Sequence, residues 1–224
     1  SNPPTTNTTR PLAEWWDNTL AGASIWGGLH VPVAVGDVNN DGIVEIAVAS
    51  SDMSNNGTLA LYRGDGGDTG DGDPILWSHP YNIFNGFEDV GAPALAELDG
   101  QPGAEIIHPS AAGLYVFHHD GSIYWFTDTL QSHAFFATPA VGNLDLDPEP
   151  EIVVNMNANL VVFNADGSLA WRLAMPSAVG MPVLADLTGD GLLDILVNES
   201  GTANLHLYEF NFGSPTLAWT ASVS

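Results

Sequence analysis

Short apolar runs alternate along this chain with acidic, glycine-bearing breaks, and the alternation repeats. Aligned on their prolines, four segments read "PVAVGDVNNDGIVEIAV" from Pro32, "PALAELDGQPGAEIIH" from Pro93, "PAVGNLDLDPEPEIVV" from Pro139 and "PVLADLTGDGLLDILV" from Pro182. The intervals of 61, 46 and 43 residues fall in the range of propeller blades or solenoid units. Each segment continues into an alternating run ("LALYRG", "LYVFHHDG", "LVVFNADG", "LHLYEFNFG"), a turn signal, and a short run holding a Trp ("ILWSH", "IYWFT", "LAWRL", "LAWTA"). Period-two alternation around Asp-Gly or Gly is a hairpin signal. One unit therefore predicts strand, acidic loop, strand, turn, strand, turn, strand, which is a four-stranded antiparallel blade. No stretch carries a sustained helical period with caps.

The expected organisation is a linker or stalk over residues 1–10, an outer strand over 11–27, and four blades at about 28–80, 88–128, 134–174 and 178–221. "SNPPTTNTTRP" has nothing to bury. "PLAEWWDNTL" looks like a fourth strand, since Trp16 precedes Pro32 by the same 16 residues that separate Trp77 from Pro93. A surplus outer strand either closes a ring within the chain by displacing the equivalent C-terminal strand, or pairs with strands of another copy or of a longer protein, the intermolecular partner being favoured. Trp77, Trp125, Trp171 and Trp219 share one blade position and read as packing between blades. Unit one is lengthened by "GDGGDTGDGD" (64–73), either a solvated loop or a further cation site built from Asp65, Asp68, Asp71 and Asp73.

The acidic loops carry the candidate chemistry. Counting from the first oxygen-bearing residue, ligand candidates fall at positions one, three, five and nine, with a backbone carbonyl at seven. Unit one offers Asp37, Asn39, Asp41, the carbonyl of Ile43, and Glu45. Unit two offers Glu97, Asp99, Gln101, the carbonyl of Gly103, and Glu105. Unit three offers Asn143, Asp145, Asp147, the carbonyl of Glu149, and Glu151. Unit four offers Asp186, Thr188, Asp190, the carbonyl of Leu192, and Asp194. All-oxygen sets with a backbone carbonyl suit calcium, which takes about 6–8 oxygens, whereas zinc prefers His or Cys. Gly42 and Gly191 at position six permit the positive φ that wraps a chain round an ion; Pro102 and Pro148 make loops two and three close differently.

Units of the form Pro, apolar residues, "D-x-D/N-x-D-G-x-x-D/E-I-x-V", then "LYVFNADGS…W" resemble the FG-GAP (VCBS-type) repeats over about residues 28–221. The resemblance implies an all-β propeller, or propeller segment, of four four-stranded antiparallel blades with up to four calcium sites in the loops between first and second strands. It implies no single activity, because the family spans adhesins, lectins, structural modules and propellers of polysaccharide lyases. Four units here contrast with the seven or eight blades usual in that family, and the "FG" part is blurred.

Charge narrows the partners. With 27 acidic and 3 basic residues the formal net charge is −24, which repels nucleic-acid backbones and anionic membrane surfaces. No apolar run reaches the roughly 18 residues of a membrane span. There is no Cys, hence no disulfide or thiolate chemistry. A start at Ser1 is expected of a processed or excised piece.

Catalysis is not expected. No nucleophile elbow, zinc-helix motif or phosphate loop is present. Twelve of the 27 acids are assigned as side-chain ligands in the four loops and four more lie in the insertion, and the chain has no Lys to serve as a lyase base. His118 and His119 read as exposed turn residues, His30 and His133 as residues of loops facing a ligand side, and His79, His108 and His206 as structural. The expected function is that of a non-catalytic, extracellular, calcium-binding propeller module, structural or adhesive toward a glycan, a cell-surface protein or its own copies. It would act as a homo-oligomer or within a longer chain. The alternative is a non-catalytic or partial propeller of a secreted carbohydrate-active enzyme.

Overall fold

Runs such as Glu45–Ser51 and Glu151–Asn155 are rich in Ile, Val and Ala and too short for helices, so they satisfy their backbone groups by pairing laterally. The computed structural model describes residues 32–51, 56–67, 74–82, 91–110, 112–128, 138–145, 147–156, 158–175, 180–199, 202–211 and 214–222. Among them every regular element is a strand, and the strands form four antiparallel four-stranded sheets. The first sheet is β1 (Ala34–Gly36), β2 (Glu45–Ser51), β3 (Asn56–Arg63) and β4 (Ile75–Asn82). The second is β5 (Ala94–Ala96), β6 (Glu105–Ser110), β7 (Gly113–Phe117) and β8 (Ile123–Thr127). The third is β9 (Ala140–Gly142), β10 (Glu151–Asn155), β11 (Asn159–Phe163) and β12 (Leu169–Ala174). The fourth is β13 (Val183–Ala185), β14 (Asp194–Glu199), β15 (Asn204–Asn211) and β16 (Ser214–Ser222). Within each sheet the strand order follows the chain, so each predicted unit is one meander. The linker expected over residues 1–10, the outer strand expected over 11–27, the histidines His30 and His133, and Asp68, Asp71 and Asp73 lie outside the described residues.

The sheets stack face to face in chain order. The short first strands adjoin one another, β1 with β5, β5 with β9, and β9 with β13. Three apolar clusters fill the junctions: Ala47, Leu61, Ile106 and Phe117 between sheets one and two, Ile107, Val116, Ile152 and Phe163 between two and three, and Val153, Val162, Ile195 and Tyr208 between three and four. Phe117 and Phe163 are almost entirely removed from water, each contributing about 1.5–3 kcal/mol. The turn-and-meander connectivity and these junctions define β-propeller blades.

The repeated Trp explains how one blade grips the next. A β-bulge between the third and fourth strands recurs at Leu61/Tyr62, Val116/Phe117, Val162/Phe163 and Leu207/Tyr208, just beside the Trp position. Trp77 Nε1 donates to the carbonyl of His119 in blade two at 2.9 Å, and Trp125 Nε1 donates to that of Ala165 in blade three at 2.8 Å. Each indole lies over a glycine with left-handed backbone: Gly121 (φ +85°) beneath Trp77, and Gly167 (φ +83°) beneath Trp125. A Cβ at these glycines would stand 2.8 and 2.6 Å from the ring, so only Gly fits. Trp171 meets Tyr208 of blade four with ring centroids 6.4 Å apart. The inter-blade role expected of the four tryptophans thus holds for three. Trp219 is 42% exposed, because among the described residues no blade follows blade four.

Candidate metal centre

The four acidic loops hang between first and second strands, and the register fixes where each ends. Position nine is the first residue of the second strand and pairs with the last of the first: Gly36 with Glu45, Ala96 with Glu105, Gly142 with Glu151 and Ala185 with Asp194. These four carboxylates are 0, 2, 1 and 1% exposed. Acids at such depth require partners, and each finds the same one. Its oxygen accepts the backbone N–H of the loop's second residue: Val38 to Glu45 at 3.0 Å, Leu98 to Glu105 at 2.8 Å, Leu144 to Glu151 at 2.6 Å, and Leu187 to Asp194 at 2.8 Å. Val38, Leu98 and Leu144 themselves plug the core, so loop and core are locked together.

The remaining positions wrap the loops. In loop one, Asp37 accepts the N–H groups of Asp41 and Gly42, Asn39 accepts that of Asp41, and Asp41 accepts that of Ile43. Gly42 has the positive φ expected of it, +86°. Loop four repeats the pattern: Asp186 accepts from Gly189 and Gly191, Asp190 from Leu192, and Asp194 from Thr188 as well as Leu187. In loop three Asp147 accepts from Glu149, Asp145 from Asp147, and the Asn143 amide donates to the Asp147 carbonyl. In loop two Glu97 accepts from Gly100 and Asp99 from Gln101, whose own side chain is exposed. With Pro102 at position six, positive φ moves to Gly100 (+71°) and Gly103 (+123°).

Electrostatics distinguish the centres. Burial pushes Glu45 above the ordinary carboxylate range; the Val38 N–H opposes this, while Asp41 and Asp37 add like-charge repulsion. Burial likewise raises Glu151, with Asp145 and Asp147 adding to it. Burial raises Glu105 too, against the pull of the Leu98 N–H and His118. Oxygens of Asp145, Asp147 and Glu151 lie within 4.8 Å of one another, so loop three gathers three of its expected ligands. In loop one the second oxygen of Glu45, Oε1, is buried without a hydrogen-bond partner among the described residues. The carboxylate oxygens of Asp37, Asp41 and Glu45 do not all come within 4.8 Å of one another, nor do those of Asp186, Asp190 and Asp194, but a buried carboxylate oxygen with a free lone pair suits a hard cation.

Loop two holds what the sequence reading missed. His118, expected to be an exposed turn residue, is only 29% exposed, and its Nδ1 lies 3.4 Å from Glu105 Oε1 and 3.6 Å from Asp99 Oδ2. The three groups lie within 4.8 Å of one another. The register places it there, because Ile106 pairs with Phe117 and the next step sets His118 opposite Glu105, as Arg63 stands opposite Glu45. Aligning "YRG", "FHH" and "FNA" one residue past the third strand would have exposed this variable seat. In the insertion, Asp65 is held by Arg63 at 3.0–3.1 Å and by the N–H of Gly67, so it closes its turn and is already paired.

No protein-family model matches the chain, and no curated protein sequence matches it significantly. Solved structures do. BamB from Moraxella catarrhalis is similar at 17% identity and a TM-score of 0.53, covering 86% of this chain and 48% of its own. The structure of BBS1N in complex with ARL6DN is similar at 12% identity and a TM-score of 0.56, covering 86% of this chain and 57% of its own. At these identities the likeness concerns the fold alone: an all-β propeller architecture. The chain spans about half the length of the structures it matches.

Proposed function

We propose that the chain is a calcium-stabilised, non-catalytic propeller module of the FG-GAP-like type, acting outside the cell as a rigid structural or adhesive element. The observation that carries the reading is the buried position-nine carboxylate in every loop, one oxygen spent on a backbone N–H and, in Glu45, the other without a partner. A cation there would draw on Asp37, Asn39, Asp41, the Ile43 carbonyl and Glu45, and on the matching positions of loops three and four. Its chemistry would be charge neutralisation, each divalent ion offsetting two units of a net −24. The protein's own groups already do the orienting, since the Asx-type turns aim the side-chain oxygens and the strand register fixes the last ligand.

Loop two supports a variant of this reading. Gln101 removes one carboxylate and His118 adds an imidazole, so the set moves toward a cation that accepts nitrogen, such as zinc. The test is thermal unfolding of the intact chain in chelator, calcium, magnesium and zinc, with elemental analysis of the purified protein. Calcium raising the melting temperature more than magnesium supports the proposal; identical curves in all conditions with no bound metal reject it.

A further inference from the structure

The three junctions between blades obey one rule, and it leaves two ends unmatched. Each blade presents a leading row of four cross-strand partners to the next blade. In blade one the row is Ala34, Ala47, Leu61 and Trp77, and in blade two it is Ala94, Ile107, Val116 and Trp125. Each row packs on a trailing row in its successor, Ile106 with Phe117, then Ile152 with Phe163. At the three junctions the central members of these rows are buried, from 0 to 6% exposed.

Blade four has the same leading row, Val183, Leu196, Leu207 and Trp219. Leu207 is covered within its own sheet at 1% exposure, but Val183 is 55% and Trp219 42% exposed, and Leu196 is partly exposed. Blade one has the same trailing row, beginning with Val35 and Ile46; Val35 is 58% exposed and Ile46 partly exposed. The seat for an indole is also present there. Gly66 occupies the place of Gly121 and Gly167: its N–H bonds the carbonyl of Arg63 as theirs bond those of His118 and Asn164. Asp65 caps Gly67 as Asp120 caps Ser122 and Asp166 caps Ser168. Gly66 has φ +65° like the others, but among the described residues nothing lies within 4 Å of where its Cβ would be. Among the described residues, one end thus holds a Trp without a seat, and the other a seat without a Trp.

We infer that a second copy of this chain supplies the missing blade at each end, with Trp219 of one copy lying on the Asp65–Gly66 turn of the other and its Nε1 donating to the Gly64 carbonyl. Two such junctions, related by a two-fold axis, make an eight-bladed ring from two four-bladed halves. Two copies are favoured because the same 86% of this chain covers only 48% and 57% of the two matched propellers, leaving room for further blades in a ring of that size. A formal charge of −24 on each copy opposes the approach, so association strengthens as salt shortens the screening length toward about 8 Å. The inference stands on apolar rows and turn geometry and does not depend on which cation the loops take.

The test is the solution mass of the full chain by light scattering at micromolar concentration in moderate salt, with tryptophan fluorescence and quenching. A mass of twice 23.6 kDa is expected, falling to the single-chain value in Trp219→Ala and in Gly66→Ala. Gly189→Ala, strained alike at φ +79° with equally open surroundings but in the loop of blade four, should remain a dimer. Far-ultraviolet circular dichroism shows whether each variant keeps its sheets. If Trp219→Ala loses them, the Gly66→Ala and Gly189→Ala pair decides the matter from the other end. A single-chain mass for the unmodified protein at all salt concentrations overturns the inference. So does a dimer that persists in folded Gly66→Ala, and so does a monomer whose Trp219 is shielded from quencher, since then another part of the same chain covers it.

Discussion

Replacing Glu45 by Gln should change the sign of its effect with the metal content of the buffer. Gln is isosteric, and its carbonyl keeps the bond from the Val38 N–H, now 3.0 Å long. What changes is Oε1, the buried and unpartnered oxygen. Leaving a buried acceptor unsatisfied costs about 1–3 kcal/mol. Gln puts a neutral NH₂ there and removes the like-charge repulsion that Asp41 and Asp37 exert on Glu45. In chelator the variant should therefore gain about 1 kcal/mol, or about 2–4 °C for a chain of this length. In calcium at about 100 times its dissociation constant, a filled site stabilises by about 2.7 kcal/mol, and Gln forfeits this. The net is a loss of somewhat under about 2 kcal/mol, or about 3–7 °C. Differential scanning calorimetry of both proteins in both buffers measures the crossing. Equal destabilisation in chelator and in calcium would show that Glu45 is only a hydrogen-bond acceptor, and the cation reading of loop one would fall.

Other expectations follow from the same structure. Glu45, Glu105 and Glu151 all have folded values raised above 4.5, so the metal-free fold binds extra protons and loses stability as pH rises from about 4.5 through the raised values. The melting increment from calcium should grow across that window; an increment that shrinks with rising pH refutes the assignment. His108 behaves oppositely: burial, with His79 adding to it, takes its value from 6.5 to about 3, so its penalty appears as pH falls below 6.5. His108→Phe keeps a ring against Tyr81, now 4.8 Å away, and should flatten the acid side of the stability curve, which an unchanged acid midpoint would contradict. Gly167→Ala carries both the left-handed backbone cost of about 1–2 kcal/mol and a Cβ 2.6 Å from Trp125, whereas Gly189→Ala carries only the first; denaturant titration should separate them by about 1–3 kcal/mol, and equal losses would deny the indole seat. His118→Ala should abolish a zinc-dependent melting shift while leaving the calcium shift in place, and loss of both or neither rejects a separate centre in blade two.

The sequence by itself determined the repeating unit. Period-two runs, Asp-Gly turns and the recurring prolines are local signals, and the hydrogen bonds that satisfy them lie inside one blade, so the meander and the sixteen strands found among the described residues could be read before any fold was known. The odd-spaced oxygens were legible for the same reason, since a nine-residue loop closes on itself. What only the tertiary structure decided lies across strands and across blades. The burial of Glu45, Glu105, Glu151 and Asp194 depends on which face the register turns inward. The arrival of His118 beside Glu105 needs the third strand to pair with the second at one register and no other, since a one-residue slip would send it to the opposite face. The difference between Trp171 and Trp219, which share the local sequence "LAW", is set by whether a neighbouring sheet lies over them. Contacts between residues some forty positions apart carry no local signature, because chain separation and spatial neighbourhood are related only through the packing of whole sheets.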